Sequence, residues 1–278
     1  MPLTKPQTEV INNKSRFRVL ITGRRFGKTF LAINELAKFA SQSKKRIWYV
    51  APTYRQAKQI CWNDLKERLI HHNWVKNVNN SDLTITLKNN SSITLRGADN
   101  EQSLRGVGLD FIVMDEFADV HKEAWYEVLR PTLSDTKGHA LFCGSPRGFG
   151  NWSYELFKQN ETNKDWASFK YTTLEGGQVD DDEIEQAKQD LDERTFQQEY
   201  EATFVNYSGM IYYNFNRQKN IVDKYDKDAG VLHIGLDFNV DPMSAVVCII
   251  VNETIIVVDE IQIYSSNTQE MCEEIRTR

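Results

Sequence analysis

Gly23-Arg24-Arg25-Phe26-Gly27-Lys28-Thr29 decides the fold of this chain. The apolar run Val19-Leu20-Ile21 precedes it, and Phe30 to Phe39 follow with apolar residues at helical spacing, so the order is strand, glycine-rich turn, helix. In that setting the loop N–H groups and the helix N-terminus face a polyphosphate, the Lys28 ammonium reaches its outer phosphates, and the Thr29 hydroxyl is placed to ligate Mg²⁺. Gly23, Arg25, Phe26 and Gly27 complete the candidate cradle. The standard spacing has glycine at position 22, where this chain carries Thr22.

Working outward, short apolar runs at Arg46 to Val50, Phe111 to Met114 and Ala140 to Cys143 read as buried parallel strands, with a helix over Tyr54 to Leu69 between the first two. Leu83 to Leu87 and Ser92 to Leu95 alternate around Asn89-Asn90-Ser91, which predicts a hairpin inserted before the central strand. The fold expected is α/β: a doubly wound, mostly parallel sheet with its ligand at the carboxyl ends of the strands. From about Trp166 to Phe204 the pattern is poorer in strands, and Asp180-Asp181-Asp182 heads a helix over Glu183 to Asp192. Carboxylates there favour the positive end of the helix dipole, so the acidic run reads as a solvated helix start. Ser208-Gly209 marks a boundary, beyond which Val231 to Phe238, Ser244 to Val251 and Thr254 to Ile263 read as strands and Thr268 to Arg278 as a helix.

With 278 residues and 40% hydrophobic content, the chain can bury one large core or two ordinary ones. Its net charge of −5 excludes a surface basic everywhere but leaves room for a local cationic stripe. Cys61, Cys143, Cys248 and Cys272 have no paired metal spacing and read as reduced thiols. Neither a signal peptide nor a membrane span is legible, so the expectation is a soluble intracellular protein with no membrane partner.

Three further stretches carry chemistry. Phe111-Ile112-Val113-Met114 ends in Asp115-Glu116; downstream of a phosphate loop, such a strand tip holds Mg²⁺ through its first acid and activates water through its second. Cys143-Gly144-Ser145-Pro146-Arg147-Gly148 follows the next strand and reads either as a Gly-Pro turn without function or, with Ser145 where many nucleic-acid motors place a small hydroxyl, as a sensor of the terminal phosphate. Arginines aimed at a transferring phosphoryl group accelerate it by about 10³ to 10⁵. Arg24 and Arg25 are candidates within the loop, Arg25 reading equally well as a loop-bracing ion pair, and Arg105 of Leu104-Arg105-Gly106 otherwise reads as part of a structural turn.

Together these stretches resemble the large terminase subunit of tailed bacteriophages, an ATP-driven DNA-packaging motor and nuclease. The resemblance extends over nearly the whole chain. Beyond the loop it rests on Ala51-Pro52-Thr53-Tyr54-Arg55-Gln56-Ala57-Lys58, on Leu104 through Glu116, on Gly144 to Gly148, and on Phe196-Gln197-Gln198-Glu199-Tyr200 with Phe204. It implies that ATP and Mg²⁺ bind at Lys28 and Thr29, that Asp115 holds the metal and Glu116 activates water. It gives Gln7 an adenine contact, Ser145 a coupling role, and makes Arg24 (in cis) and Arg105 (in trans) competing arginine fingers.

The domains implied are an ATPase over residues 1–207, with a small lid subdomain from about 166, and a partial ribonuclease H-like nuclease over 208–278. Asp237 of Gly235-Leu236-Asp237-Phe238 would be the first ligand of a divalent metal there, with Asp259 or Glu260 as weaker candidates. The resemblance places the remaining acids on later strands and helices, so the expectation is either a fragment of a longer protein or a shortened product with a damaged nuclease. The implied partners are double-stranded DNA, a small terminase subunit, a portal protein with its procapsid, and further copies in a homo-oligomeric ring on the portal, in the host cell cytoplasm. A helicase-like or repair ATPase, and a shortened prophage product that binds ATP without cutting DNA, are the competing readings.

Overall fold

The computed structural model describes residues 2–205, 220–222, 230–239, 241–252 and 254–277. The chain divides into two compact units, Met1–Met210 and Ile211–Arg278.

The first unit is built on one sheet. Its strands are β1 (Phe17–Thr22), β2 (Arg46–Ala51), β3 (Val75–Asn79), β4 (Thr84–Leu87), β5 (Ser92–Gly97), β6 (Phe111–Asp115), β7 (His139–Gly144) and β8 (Trp166–Tyr171). The order is β3-β4-β5-β2-β6-β7-β1-β8, parallel from β5 to β8, with β3 and β4 antiparallel at one edge. Side chains alternate across these strands, so each face receives every second residue. Leu20, Ile47, Tyr49, Phe111, Val113, Leu141 and Cys143 pack with helix α2 (Lys28–Gln42) and the helical stretch from Tyr54 to His71 on one face. Phe17, Val19, Ile21, Trp48, Ile112, Met114 and Phe142 pack with Trp125, Leu129 and Trp152 on the other. Burial on both faces explains why these strands read as continuous apolar runs.

The sheet differs from the sequence expectation in two places. Ser92–Gly97 does form an antiparallel pair with β4, but it also pairs in parallel with β2, so it is an internal strand of the main sheet. Trp166–Tyr171 lies at the start of the expected lid, yet pairs with β1 over its whole length. As an edge strand it is half-buried and alternates weakly, which hid it. The segment after β8 is helical, with helices at Thr173–Gly176, Asp181–Asp190 and Glu193–Glu199. The acidic helix starts two residues earlier than its sequence suggests, and it ends earlier because Asp192 caps the next helix, accepting from the Arg194 and Thr195 N–H groups at 3.1 Å each.

In the second unit β9 (Leu232–Asp237), β10 (Met243–Val251) and β11 (Thr254–Ile263) form an antiparallel sheet in the order β11-β10-β9. Met271 and Ile275 of the helix Thr268–Thr277 pack on Met243, Ala245, Ile261 and Ile263. No helix among the described residues is long and apolar enough to cross a membrane.

Candidate nucleotide site

The loop leaves β1 one residue later than the standard pattern would have it. Thr22 is still in the strand, paired with Tyr171, so the tight turn begins at Gly23 and position 22 needs no glycine. Gly23 cannot be replaced without movement: a Cβ there would lie 2.4 Å from Thr173 Oγ1 and 2.5 Å from the Tyr200 carbonyl oxygen. The crowding comes from the strand end and the helical segment after it, which bond directly to the loop. The Gly23 N–H donates to Tyr171 O, the Arg24 N–H to Glu199 O, and the Thr173 hydroxyl to Arg24 O. Phe26 is buried against Tyr171, their rings stacked at 5.5 Å. Gly27 caps α2 in the left-handed region at φ 90°, where a side chain would also meet the Gln7 amide.

Gln7 lies in helix α1 (Lys5–Asn12) and is 1% exposed. Its Nε2 donates to Phe26 O at 3.1 Å and its Oε1 accepts from the Thr4 N–H at 3.1 Å. Both ends of this amide thus engage the protein, and Gln7 ties the N-terminal helix to the loop.

Lys28, Thr29, Arg24, Arg25, Phe26, Gly27, Asp115 and Glu116 line one open cleft of about 760 Å³ together with Ile60 and Gln178. A smaller adjoining chamber of about 380 Å³ is lined by Arg24, Arg25, Lys28, Glu116 and Ser145, and also by Gln56, Asp119, Arg147 and Glu199. The Lys28 ammonium stands 3.5 Å from Glu116 Oε1 and 3.4 Å from Ser145 Oγ. Three separate motifs thus meet at one nitrogen atom.

Asp115 ends β6 and points to the α2 face of the sheet, where it is 2% exposed. Burial, and then the Glu116 charge, push its carboxyl up to about 6, against the hydroxyl of Tyr49 and the Lys28 ammonium, which favour the ionised form. A carboxylate held in so dry a place fits a cation: Asp115 and the Thr29 hydroxyl, oxygen donors lining one cleft, suit Mg²⁺. Glu116 follows in the left-handed region at φ 46°, which turns the chain out of the strand and leaves its carboxylate one-third exposed.

Arg24 forms an ion pair with Glu199 of the helix Glu193–Glu199. Burial alone would raise the Glu199 carboxyl, but hydrogen bonds from Arg24 and Gln198 and the Arg24 charge hold it below its ordinary value. Arg147 reaches the same carboxylate at 4.0 Å and forks onto Asp119 with two bonds of 2.9 Å. Asp119, Arg147 and Glu199 were not singled out as site residues in the sequence. Arg147 carried a signal, its place two residues after Ser145; Glu199 carried none, because its contact with Arg24 spans 175 positions. Arg105 is exposed at the end of the turn Glu101–Leu104 and is absent from the lining of both chambers.

In the second unit Asp237 is exposed at the end of β9 and accepts from the Asn239 amide at 3.0 Å. The register pairs Asp237 with Ser244 and Ser244 with Gln262. Glu260, two residues from Gln262, shares the face of Asp237 but lies roughly 12 Å away by strand spacing and rise, and Asp259 points to the other face. Among the described residues no group of three or more His, Cys, Asp or Glu side chains is gathered to hold a metal.

A strand, a glycine-rich loop and a helix facing two acids on a nearby parallel strand define a P-loop α/β protein. The family model described as terminase large subunit, T4likevirus-type, N-terminal, matches residues 19–219, and the chain belongs to that family. It is 32% identical over 227 residues to the large terminase subunit of Escherichia phage T5, covering 78% of this chain and 51% of that protein. The solved ATPase domain of the Thermus phage P74-26 large terminase is similar at 25% identity and a TM-score of 0.65, covering 73% of this chain and 94% of that one. The large terminase of bacteriophage HK97, 13% identical, shares the fold over 100% of this chain and 66% of its own at a TM-score of 0.62. The chain spans about half the length of the curated relatives it matches.

Proposed function

We propose that this chain is the ATP-hydrolysing part of a viral DNA-packaging motor, coupling hydrolysis to translocation of duplex DNA into a procapsid. The observation that carries the reading is the meeting of Lys28, Glu116 and Ser145 within 3.5 Å at the carboxyl edge of the sheet. Lys28 binds the outer phosphates with the loop N–H groups, Thr29 and Asp115 hold Mg²⁺, Glu116 takes the proton of the attacking water, and Ser145 reports on the terminal phosphate. The cation, when bound, neutralises charge on the phosphate oxygens.

Arg24 is the candidate for a finger acting in cis, with Arg25 beside it in the loop. An anion entering the cleft competes with Glu199 for the Arg24 guanidinium, which links nucleotide binding to the helix Glu193–Glu199. Arg105, exposed and outside the lining of the chambers, suits a role on a neighbouring copy in a ring on the portal. Double-stranded DNA, a small terminase subunit and a portal protein are the partners proposed, in the host cell cytoplasm. Asp237 is proposed as one ligand of a nuclease metal; two-metal cleavage needs several carboxylates on one phosphate, so cleavage itself is not assigned to the described residues.

The test is ATP hydrolysis in Mg²⁺ with and without duplex DNA. The motor reading expects hydrolysis that duplex DNA stimulates regardless of its sequence, with stimulation fading as salt rises, because the contacts are to phosphates. Unwinding of a forked duplex, with stimulation by single strands only, would instead establish a helicase-like ATPase.

A further inference from the structure

Tyr49 stands in the middle of β2, fully buried, and its hydroxyl donates to Oδ2 of Asp115. The register brings them together. Tyr49 is paired in parallel with Val113, and Asp115, two residues further along β6, points to the same face. The phenol therefore reaches forward along the sheet to the acid at the strand tip. The other oxygen, Oδ1, accepts from the Glu116 N–H at 3.1 Å. Around it also stand the Lys28 ammonium and the Glu116 charge, and two weak donors: the Cys143 thiol from the adjacent strand, paired with Asp115 in register, and the buried Cys61 thiol, each raised by burial and then by the Asp115 charge.

The terminal torsion of an aspartate is broad and two-fold, so a carboxylate without fixed donors rotates among orientations. Here a rigid phenol, locked by the packing of the sheet, engages one oxygen and a backbone N–H engages the other. We propose that Tyr49 is a positioning residue for the divalent cation of the nucleotide complex: it fixes the rotation of the Asp115 carboxylate so that one set of lone pairs faces the cleft. This rests on the reading of Asp115 as the metal-holding acid. Hydrogen-bond partners behind a metal ligand typically alter metal affinity about 10- to 100-fold when removed. Phenylalanine would fill the same space in the core, so the hydroxyl separates the positioning role from packing.

The experiment is a Mn²⁺ titration of the wild-type chain and of Tyr49→Phe in the presence of ADP, read by the electron paramagnetic resonance of free Mn²⁺. ADP binding is measured separately in EDTA. The expected result is a Mn²⁺ affinity at least about 10-fold weaker in Tyr49→Phe, with metal-free ADP affinity close to wild type and a lower melting temperature, because a buried hydrogen bond to the carboxylate is lost. Equal Mn²⁺ affinity in the two proteins overturns the positioning role, and so does a loss of ADP affinity in EDTA as large as the loss of Mn²⁺ affinity. A wild-type chain that holds no more Mn²⁺ than ADP alone defeats the reading of Asp115 itself, a distinguishable outcome. Should Tyr49→Phe fail to fold, the ring carbon bearing the Tyr49 hydroxyl is followed by NMR in wild-type protein labelled with ¹³C-tyrosine. A shift on adding Mg²⁺ to the ADP complex supports the proposal, and a resonance indifferent to Mg²⁺ overturns it.

Discussion

Glu116→Gln is expected to lower ATP hydrolysis by on the order of 10² to 10⁴, the range lost when a positioned general base is removed, while Mg²⁺·ATP still binds. The geometry separates the two effects. Glu116 is turned out of β6 by its left-handed backbone and keeps its carboxylate one-third exposed toward the cleft, whereas Asp115 is buried behind it. Glutamine preserves the size of the side chain and its ability to orient a water, but it cannot accept the proton. The ion pair with Lys28 disappears, which frees that ammonium for phosphate, so nucleotide affinity should hold or rise. Quench-flow hydrolysis together with a fluorescent-nucleotide binding isotherm reads both quantities. A wild-type rate in this variant would remove Glu116 from the chemistry.

Lys28→Ala is expected to weaken ATP binding by roughly 10- to 100-fold and to bring hydrolysis to background. A hydrogen bond to a charged group contributes about 1.5 to 3 kcal/mol, and each 1.4 kcal/mol is a factor of about ten in affinity. Lys28 is the ammonium shared by the three motifs, 11% exposed at the start of α2, and the loop N–H groups cannot replace its charge. Its partners in the nucleotide-free protein, Glu116 and Ser145, both lie at the cleft, so the melting temperature without nucleotide should change little. Isothermal titration with ATP and a thermal melt check the pair of expectations. Undiminished affinity would show that the loop is a turn with no phosphate bound.

Much of the first unit was legible because strands buried on both faces announce themselves as apolar runs, and because a phosphate loop followed by an acid-tipped strand has a fixed order. The irregular Thr22 also yields to physics once β1 is seen to include it: the close approach falls at Gly23, against Thr173 and Tyr200. Helix α1 was missed although Thr4-Lys5-Pro6-Gln7 carries a start signal, with Pro6 early in the helix and Gln7 turned back to the Thr4 N–H. Other features could not be read without the fold. Glu199 meets Arg24 only because the segment after β8 returns over the loop. Tyr49 is hidden in a run of core residues, and its partner is set by the register of β2 against β6. In the second unit Asp237 is easily seen at its strand end, but which acids share its face depends on the pairing of three strands and on the irregularity between Val247 and Cys248.

The placement of the nucleotide is the claim on which the rest depends, and amide hydrogen exchange with and without Mg²⁺·ATP-γ-S tests it most directly. The account predicts increased protection at Gly23 to Leu31, at Met114 to Phe117, and in the helix Glu193–Glu199. Protection confined to other segments, or exchange unchanged by saturating nucleotide, would contradict it.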